Sequence, residues 1–192
     1  MHIDIPVELK NYIKDNVDLI DSGNFNKLYD EYKYKAISQI NILTTMLYSC
    51  GIFPDKMNLI EIPQGYATND CTIEILDCRN NPILMRVCGY SFVDNRNLKE
   101  VHLPDNCSTI GRNAFAGCEN LSYIYLPKNL NFIGEFAFSG CLKLKEITFG
   151  GTILEWKSVI QNYCGNKIKS NAFYKIPCRK IKCIDGYTQL RA

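Results

Sequence analysis

Histidine is almost missing from this chain: His2 and His102 are the only two among 192 residues, and Trp156 is the only tryptophan. The ten cysteines include no Cys-x-x-Cys pair. With so few imidazoles and no paired thiols, zinc ligation is not expected, and neither is another metal or cofactor. No glycine-rich loop that would cradle a phosphate is present, and Gly150-Gly151 reads as a lone turn. Long apolar runs are absent too, none reaching the roughly 18 residues that a membrane-spanning helix needs. Met1-His2-Ile3-Asp4 offers neither a basic start nor an apolar run, so no signal peptide is expected and the chain reads as cytoplasmic. A cell-surface or phage-associated location stays open. Net charge is also lacking: +2 overall argues neither for nor against a polyanionic partner.

What the chain does have is a period. Residues 87–149, written in phase, give VCGYSFVDNRNLKEVHLP, then TIGRNAFAGCENLSYIYLP, then FIGEFAFSGCLKLKEITFG. Apolar columns recur every 23 residues: Val87, Ile110 and Ile133; Phe92, Phe115 and Phe138; Leu98, Leu121 and Leu144; Val101, Ile124 and Ile147; Leu103, Leu126 and Phe149. A period in the twenties marks a solenoid, whose units bury their apolar faces only by stacking on one another. The closing Leu-x-x-Val/Ile-x-Leu/Phe alternates as a half-buried strand does. Gly111 and Gly134 sit where a side chain would obstruct a tight bend, while Cys88 fills that place in the first copy and predicts a different bend there. Cys118 and Cys141 fall on small buried positions, where Asn95 stands in copy one. Without a secretion signal the thiols are expected to be reduced, although strand spacing of about 5 Å would allow a 118–141 bridge.

These motifs resemble the BspA-like leucine-rich-repeat family. The matching pieces are Leu103-Pro104, Ile110-Gly111, Ala114-Phe115, Gly117-Cys118 and Leu121 to Ile124, then Leu126-Pro127, Ile133-Gly134, Ala137-Phe138, Gly140-Cys141 and Leu144 to Ile147. The resemblance implies a stacked-strand scaffold used for binding and supplies no catalytic residue. It also implies kinship with surface or adhesion proteins, or with small phage and prophage products. The stretch from Asp21 to Gly65 is similar, more weakly, to the leader of phage-encoded members. Gly151-Thr152-x-x-x-Trp156 is similar to an element on which the family often ends. The expected fold class is α/β, a short leucine-rich-repeat solenoid with a helical N-terminal cap over 1–58. Residues 59–192 would hold the solenoid and an irregular C-terminal cap.

The flanks fill in that plan. Pro6 to Asp21 predicts an amphipathic helix with Leu9, Tyr12, Ile13, Val17 and Ile20 on one stripe, and two further helical runs follow before Gly51. They suit a lid on the first rung; an independent effector or dimerisation unit is the alternative. Ile62-Pro63 looks like the end of a degenerate repeat parallel to Leu103-Pro104. Thr72 to Leu76 and Ile83 to Val87 read as strands joined by Arg79-Asn80-Asn81-Pro82, which suggests a hairpin. After Phe149, residues 154–163 predict a short helix carrying Trp156 as a packing residue. Ile168, Ala172 and Phe173 resume the pattern, Ile181 to Ile184 predict a last strand, and Asp185-Gly186 predict a turn.

Two surfaces are candidates for binding. Strand alternation turns Glu100, His102, Tyr123, Tyr125, Glu146 and Thr148 outward on the repeat sheet, with two tyrosines at its middle. A protein partner on this face is the leading expectation. The other surface is basic: residues 167–182 hold Lys167, Lys169, Lys175, Arg179, Lys180 and Lys182 and no acid. It would suit a phage-type inhibitor or a nucleic-acid backbone, or simply protect a terminal strand edge. A carbohydrate-binding adhesin fragment is a third reading. His102 has Glu100 beside it but no pocket or nucleophile, and Cys107 and Cys164 lack a histidine partner, so no enzyme is expected.

Overall fold

A computed structural model of the chain describes residues 61–69, 73–164 and 171–190. Each 23-residue unit makes one coil that contributes a short strand to each of two sheets. Glu61–Ile62 (β1), Arg86–Val87 (β3), Thr109–Ile110 (β5) and Phe132–Ile133 (β7) stack in that order, all parallel. Ile75–Asp77 (β2), Glu100–His102 (β4), Tyr123–Leu126 (β6) and Glu146–Phe149 (β8) form the second sheet, also parallel. Lys180–Cys183 (β9) and Gly186–Gln189 (β10) extend it to the order β10-β9-β8-β6-β4-β2. The repeat is therefore a β-solenoid. Its only helix among the described residues is α1, Ile153–Cys164.

The sequence columns become physical columns. Val101 pairs with Ile124 and Ile124 with Ile147, while Val87, Ile110 and Ile133 align in the other sheet. Between them runs a ladder of aromatic rings. Phe92 and Phe115 stack at 5.3 Å, Phe115 and Phe138 at 5.5 Å, and Phe138 and Phe173 at 5.4 Å, with planes within 5° of parallel. All four are buried. Each ring shields its neighbours from water, so a coil leaves its apolar face dry only when both neighbours are present.

The cysteines fall on the same columns. Cys78 follows β2 at the place of Leu103, Cys183 takes the place of Phe149, Cys178 that of Leu144, and Cys107 that of Leu84 and Leu130; all are buried free thiols. Cys118 donates its S–H to the Phe92 carbonyl and Cys141 to that of Phe115, each at 3.1 Å, and neither bridges the other. Asn95, buried in the same column, accepts the Leu98 N–H through Oδ1 at 3.2 Å.

Glycine is required where one coil rides on the next. A Cβ on Gly111 would fall 2.3 Å from the Gly89 nitrogen, and one on Gly134 would fall 2.3 Å from the Arg112 nitrogen. The obstruction comes from the preceding coil rather than from the bend. Cys88 accordingly makes the same bend as its glycine counterparts: its N–H donates to Ile62 O at 2.9 Å, as Gly111 does to Val87 O at 2.8 Å and Gly134 to Ile110 O at 2.7 Å. The expected different bend at Cys88 is not found.

Three other expectations are corrected at the ends of the stack. Strands β2 and β3 belong to different sheets, so the described residues 73–87 form no hairpin. Ile62 pairs with Val87, which puts it in the Ile-Gly column and not beside Leu103. The first described coil is longer than the others because Asp77 pairs with His102, 25 residues on. The two extra residues fall in the turn between Cys78 and Leu84, where Arg79-Asn80-Asn81-Pro82 lies. At the other end the described part of the cap holds a helix and an antiparallel hairpin. Thr152 and Glu155 form a reciprocal capping box that starts α1: Thr152 N–H donates to Glu155 Oε2 at 2.6 Å and Glu155 N–H to Thr152 Oγ1 at 3.2 Å. Trp156 is buried on Phe149, ring centroids 5.3 Å apart, and its indole N–H donates to Gln189 O at 3.3 Å. Strand β9 is not the last one, because the chain turns at Ile184-Asp185 into antiparallel β10. The helical cap expected over 1–58 lies outside the described residues, as do Ile168, Lys167 and Lys169.

Candidate protein-interaction face

The outward side chains of the larger sheet fall into two rows. One row reads Ile75, Glu100, Tyr123 and Glu146 across β2, β4, β6 and β8. The other reads Asp77, His102, Tyr125, Thr148, Lys182 and Tyr187, continuing through β9 and β10. Two residues back along both strands, Lys180 follows Glu146 in the first row, and Gln189 pairs with it on β10. All six residues predicted for the sheet face, Glu100, His102, Tyr123, Tyr125, Glu146 and Thr148, thus share one surface. Lys180 and Lys182 of the predicted basic face lie on it as well. The two candidate surfaces meet in a single face.

The side chains on this face are held in place. Tyr123 and Tyr125 are half-buried, two residues apart on β6. The Tyr125 hydroxyl donates to Asp105 Oδ1 at 3.2 Å, and its ring lies over Gly150, where a Cβ would come within 2.2 Å of the hydroxyl. Burial, with the Asp105 carboxylate behind it, holds the Tyr125 phenol above its ordinary pKa and so protonated. The His102 ring packs 5.3 Å from the Tyr123 ring, and its Nε2 lies 3.3 Å from Glu100 Oε2. At the N-terminal end Arg79 grips Asp77 with two parallel bonds, Nε to Oδ1 at 2.8 Å and Nη2 to Oδ2 at 2.5 Å. That pairing pulls the Asp77 carboxyl down from 3.8 to about 2. Lys99 reaches Glu74 at 2.8 Å.

Charge is distributed unevenly along the face. At the β2–β4 end Glu74 and Asp77 are paired with Lys99 and Arg79, and Glu100 lies beside His102, whereas Lys145, Arg179, Lys180 and Lys182 gather at the β8–β10 end. A shallow cavity of about 380 Å³ opens at the basic end, with Tyr187 on its rim. The Arg179 guanidinium donates to Ile176 O at 3.0 Å, which fixes its direction.

Among the described residues no group of three His, Cys, Asp or Glu side chains is placed to hold a metal ion. Burial pushes the Cys107 thiol up to about 11 and those of Cys88 and Cys118 to about 12, the opposite of what a thiolate nucleophile needs. No helix among the described residues is long and apolar enough to cross a membrane.

The BspA type leucine rich repeat region matches residues 48–166 in 6 copies. The chain belongs to that family. The matched BspA-type span contains β1 to β8 and therefore the tyrosine-bearing strand β6 and its neighbours β4 and β8. Residues 167–190, which include β9 and β10, lie beyond the matched repeats. Neither a curated protein nor a solved structure matches the chain.

Sequence reading missed three members of the face. Ile75 and Asp77 were hidden by the 25-residue spacing of the first described coil. Tyr187, 66% exposed, was hidden because Asp185-Gly186 looked like a final turn and not the start of another strand.

Proposed function

We propose that this chain is a non-enzymatic protein-interaction module that binds its partner on the outward face of the β4–β6–β8 sheet, centred on Tyr123 and Tyr125. The observation that carries this reading is the pair of half-buried tyrosines at the middle of an open sheet, each immobilised by a neighbour: Asp105 and Gly150 for Tyr125, the His102 ring for Tyr123. Side chains already fixed in the free protein lose little rotamer entropy on binding, which is where flexible surfaces forfeit affinity. Tyrosine adds broad apolar contact with a polar tip. The flanking Glu100, His102, Glu146 and Thr148 supply a polar rim around that centre. Membership of a leucine-rich-repeat family supports the same conclusion, because stacked repeats present extended binding surfaces.

Site-specific photo-cross-linking tests this. A benzophenone amino acid at Tyr123 should capture a discrete partner from the native cell. The same group at Tyr174, on the opposite arc of the coil, should not. Capture from position 174 and none from 123 would move the interface to the arcs.

A further inference from the structure

We infer that the β8–β10 end of this face is a docking site for an extended acidic peptide. The inference rests on the protein-interaction reading and adds the chemistry of the partner. The first argument is the distribution of ion pairs. Elsewhere on the solenoid the described arginines are matched: Arg79 by Asp77, Arg86 by Glu61, Arg96 by Glu119 and Arg112 by Glu135. Among the described residues no carboxylate lies within ion-pair distance of Lys145, Arg179, Lys180 or Lys182, although these four surround one cavity. Only one acid, Glu146, lines it with them. Four cations against one carboxylate leave a local excess of three, on a chain whose whole net charge is +2.

Geometry selects the kind of anion. Lys180 and Lys182 are both exposed and alternate on β9, so their side chains emerge about 6.6 Å apart along the strand. An extended peptide presents every second side chain at that same interval. An Asp-x-Asp segment lying along β9 therefore matches both ammonium groups, with Lys145 and Arg179 flanking. Tyr187 and the apolar edges of Ile147 and Pro177 offer its intervening residues a non-polar wall. The peptide lies on the face and does not add as a strand to β9, because β9 is already paired with β8 on one side and β10 on the other. A nucleic-acid strand fits less well. Continuing across the face it would meet Glu146 and then Glu100, two strands away, each acting on any phosphate within a screening length of about 8 Å at physiological salt. Their carboxylates would repel each further phosphate.

The test is fluorescence anisotropy of a labelled peptide alternating aspartate with threonine, titrated with the full chain. The peptide should bind, more weakly as salt rises. Lys180→Glu with Lys182→Glu should weaken it by at least about tenfold, since two attractive pairs become repulsive. Lys128→Glu with Lys157→Glu, the same charge change away from the cavity, should alter affinity by no more than about twofold. Absence of binding to the wild-type chain, or equal losses in the two variants, would overturn the inference. So would tighter binding of labelled oligothymidylate than of the peptide. If the peptide fails while cross-linking from Tyr123 still captures a protein, this inference falls and the interaction face stands.

Discussion

A single methyl group distinguishes two kinds of glycine in these coils. Gly134 lies directly on the backbone below it, where an added Cβ would sit 2.3 Å from Arg112 N and 2.6 Å from Gly111 C. Backbone cannot swing away as a side-chain tip can, so the coils themselves would have to part. Gly140 has room, since its Cβ would lie 3.7 Å from Gly117, but its φ of 75° is left-handed. Gly134→Ala should therefore cost upwards of about 3 kcal/mol, beyond ordinary overpacking. Gly140→Ala should cost about 1–2 kcal/mol, the penalty of a side chain in that backbone region. Urea denaturation of the two variants measures the difference, and equal losses would show that the glycines serve the bend alone. The residue-scale features that could be read in advance were those set by repetition. The columns of Val101, Leu121 and Phe115 repeat at 23 and landed in register. The reason for Gly111 and Gly134 could not be read, because it depends on which backbone atoms lie below them.

Among the elements, the last coil carries the most risk. Helix α1 follows β8, and its Trp156 closes the end of the core against Phe149 while holding Gln189 of β10. Asp185 in the β9–β10 turn accepts the Ile153 N–H at 2.8 Å, tying the hairpin to the start of the helix. A solenoid without a closed end exposes apolar surface and unpaired strand. Trp156→Ala should lower stability by about 3–5 kcal/mol, as for other large aromatic deletions in cores. Far-UV circular dichroism against urea checks this, and a loss below about 1 kcal/mol would mean that the cap is dispensable. This element also shows where sequence reasoning stopped. The helix after Gly150-Gly151-Thr152 and the packing role of Trp156 were expected, the resemblance to the family's Gly-Thr-x-x-x-Trp ending pointing to the same place. The pairing of β9 with β8 was not, because the helix inserts between them and Thr148 meets Lys182 at an offset of 34 residues, not 23. For the same reason the basic run and the repeat sheet looked like separate surfaces. At the other end, Ile62-Pro63 imitated the Leu-Pro signature closely enough to be assigned to the wrong sheet.

At the scale of the molecule, the described residues form a stack in which every coil depends on its neighbours for a dry core and for its backbone hydrogen bonds. Such a structure leaves few broad surfaces, and the larger sheet is the one on which ordered aromatic and charged side chains are set out in straight rows. Its rows run from the ion-paired Asp77 and from Glu100 at one end to Lys180 and Lys182 at the other, with Tyr123 and Tyr125 between. A partner that spans the face would meet Glu100, the tyrosines and the lysines in that order, which fixes its orientation as well as its position. The most direct measurement is the affinity of the purified, cross-linked partner for the Tyr123→Ala/Tyr125→Ala chain, by isothermal titration calorimetry, beside a Tyr90→Ala/Tyr174→Ala chain altered only on the arcs. With both variants folded, the account predicts at least about a 30-fold loss from the sheet pair and almost none from the arc pair, as for central interface tyrosines. Undiminished binding by the sheet variant would contradict it.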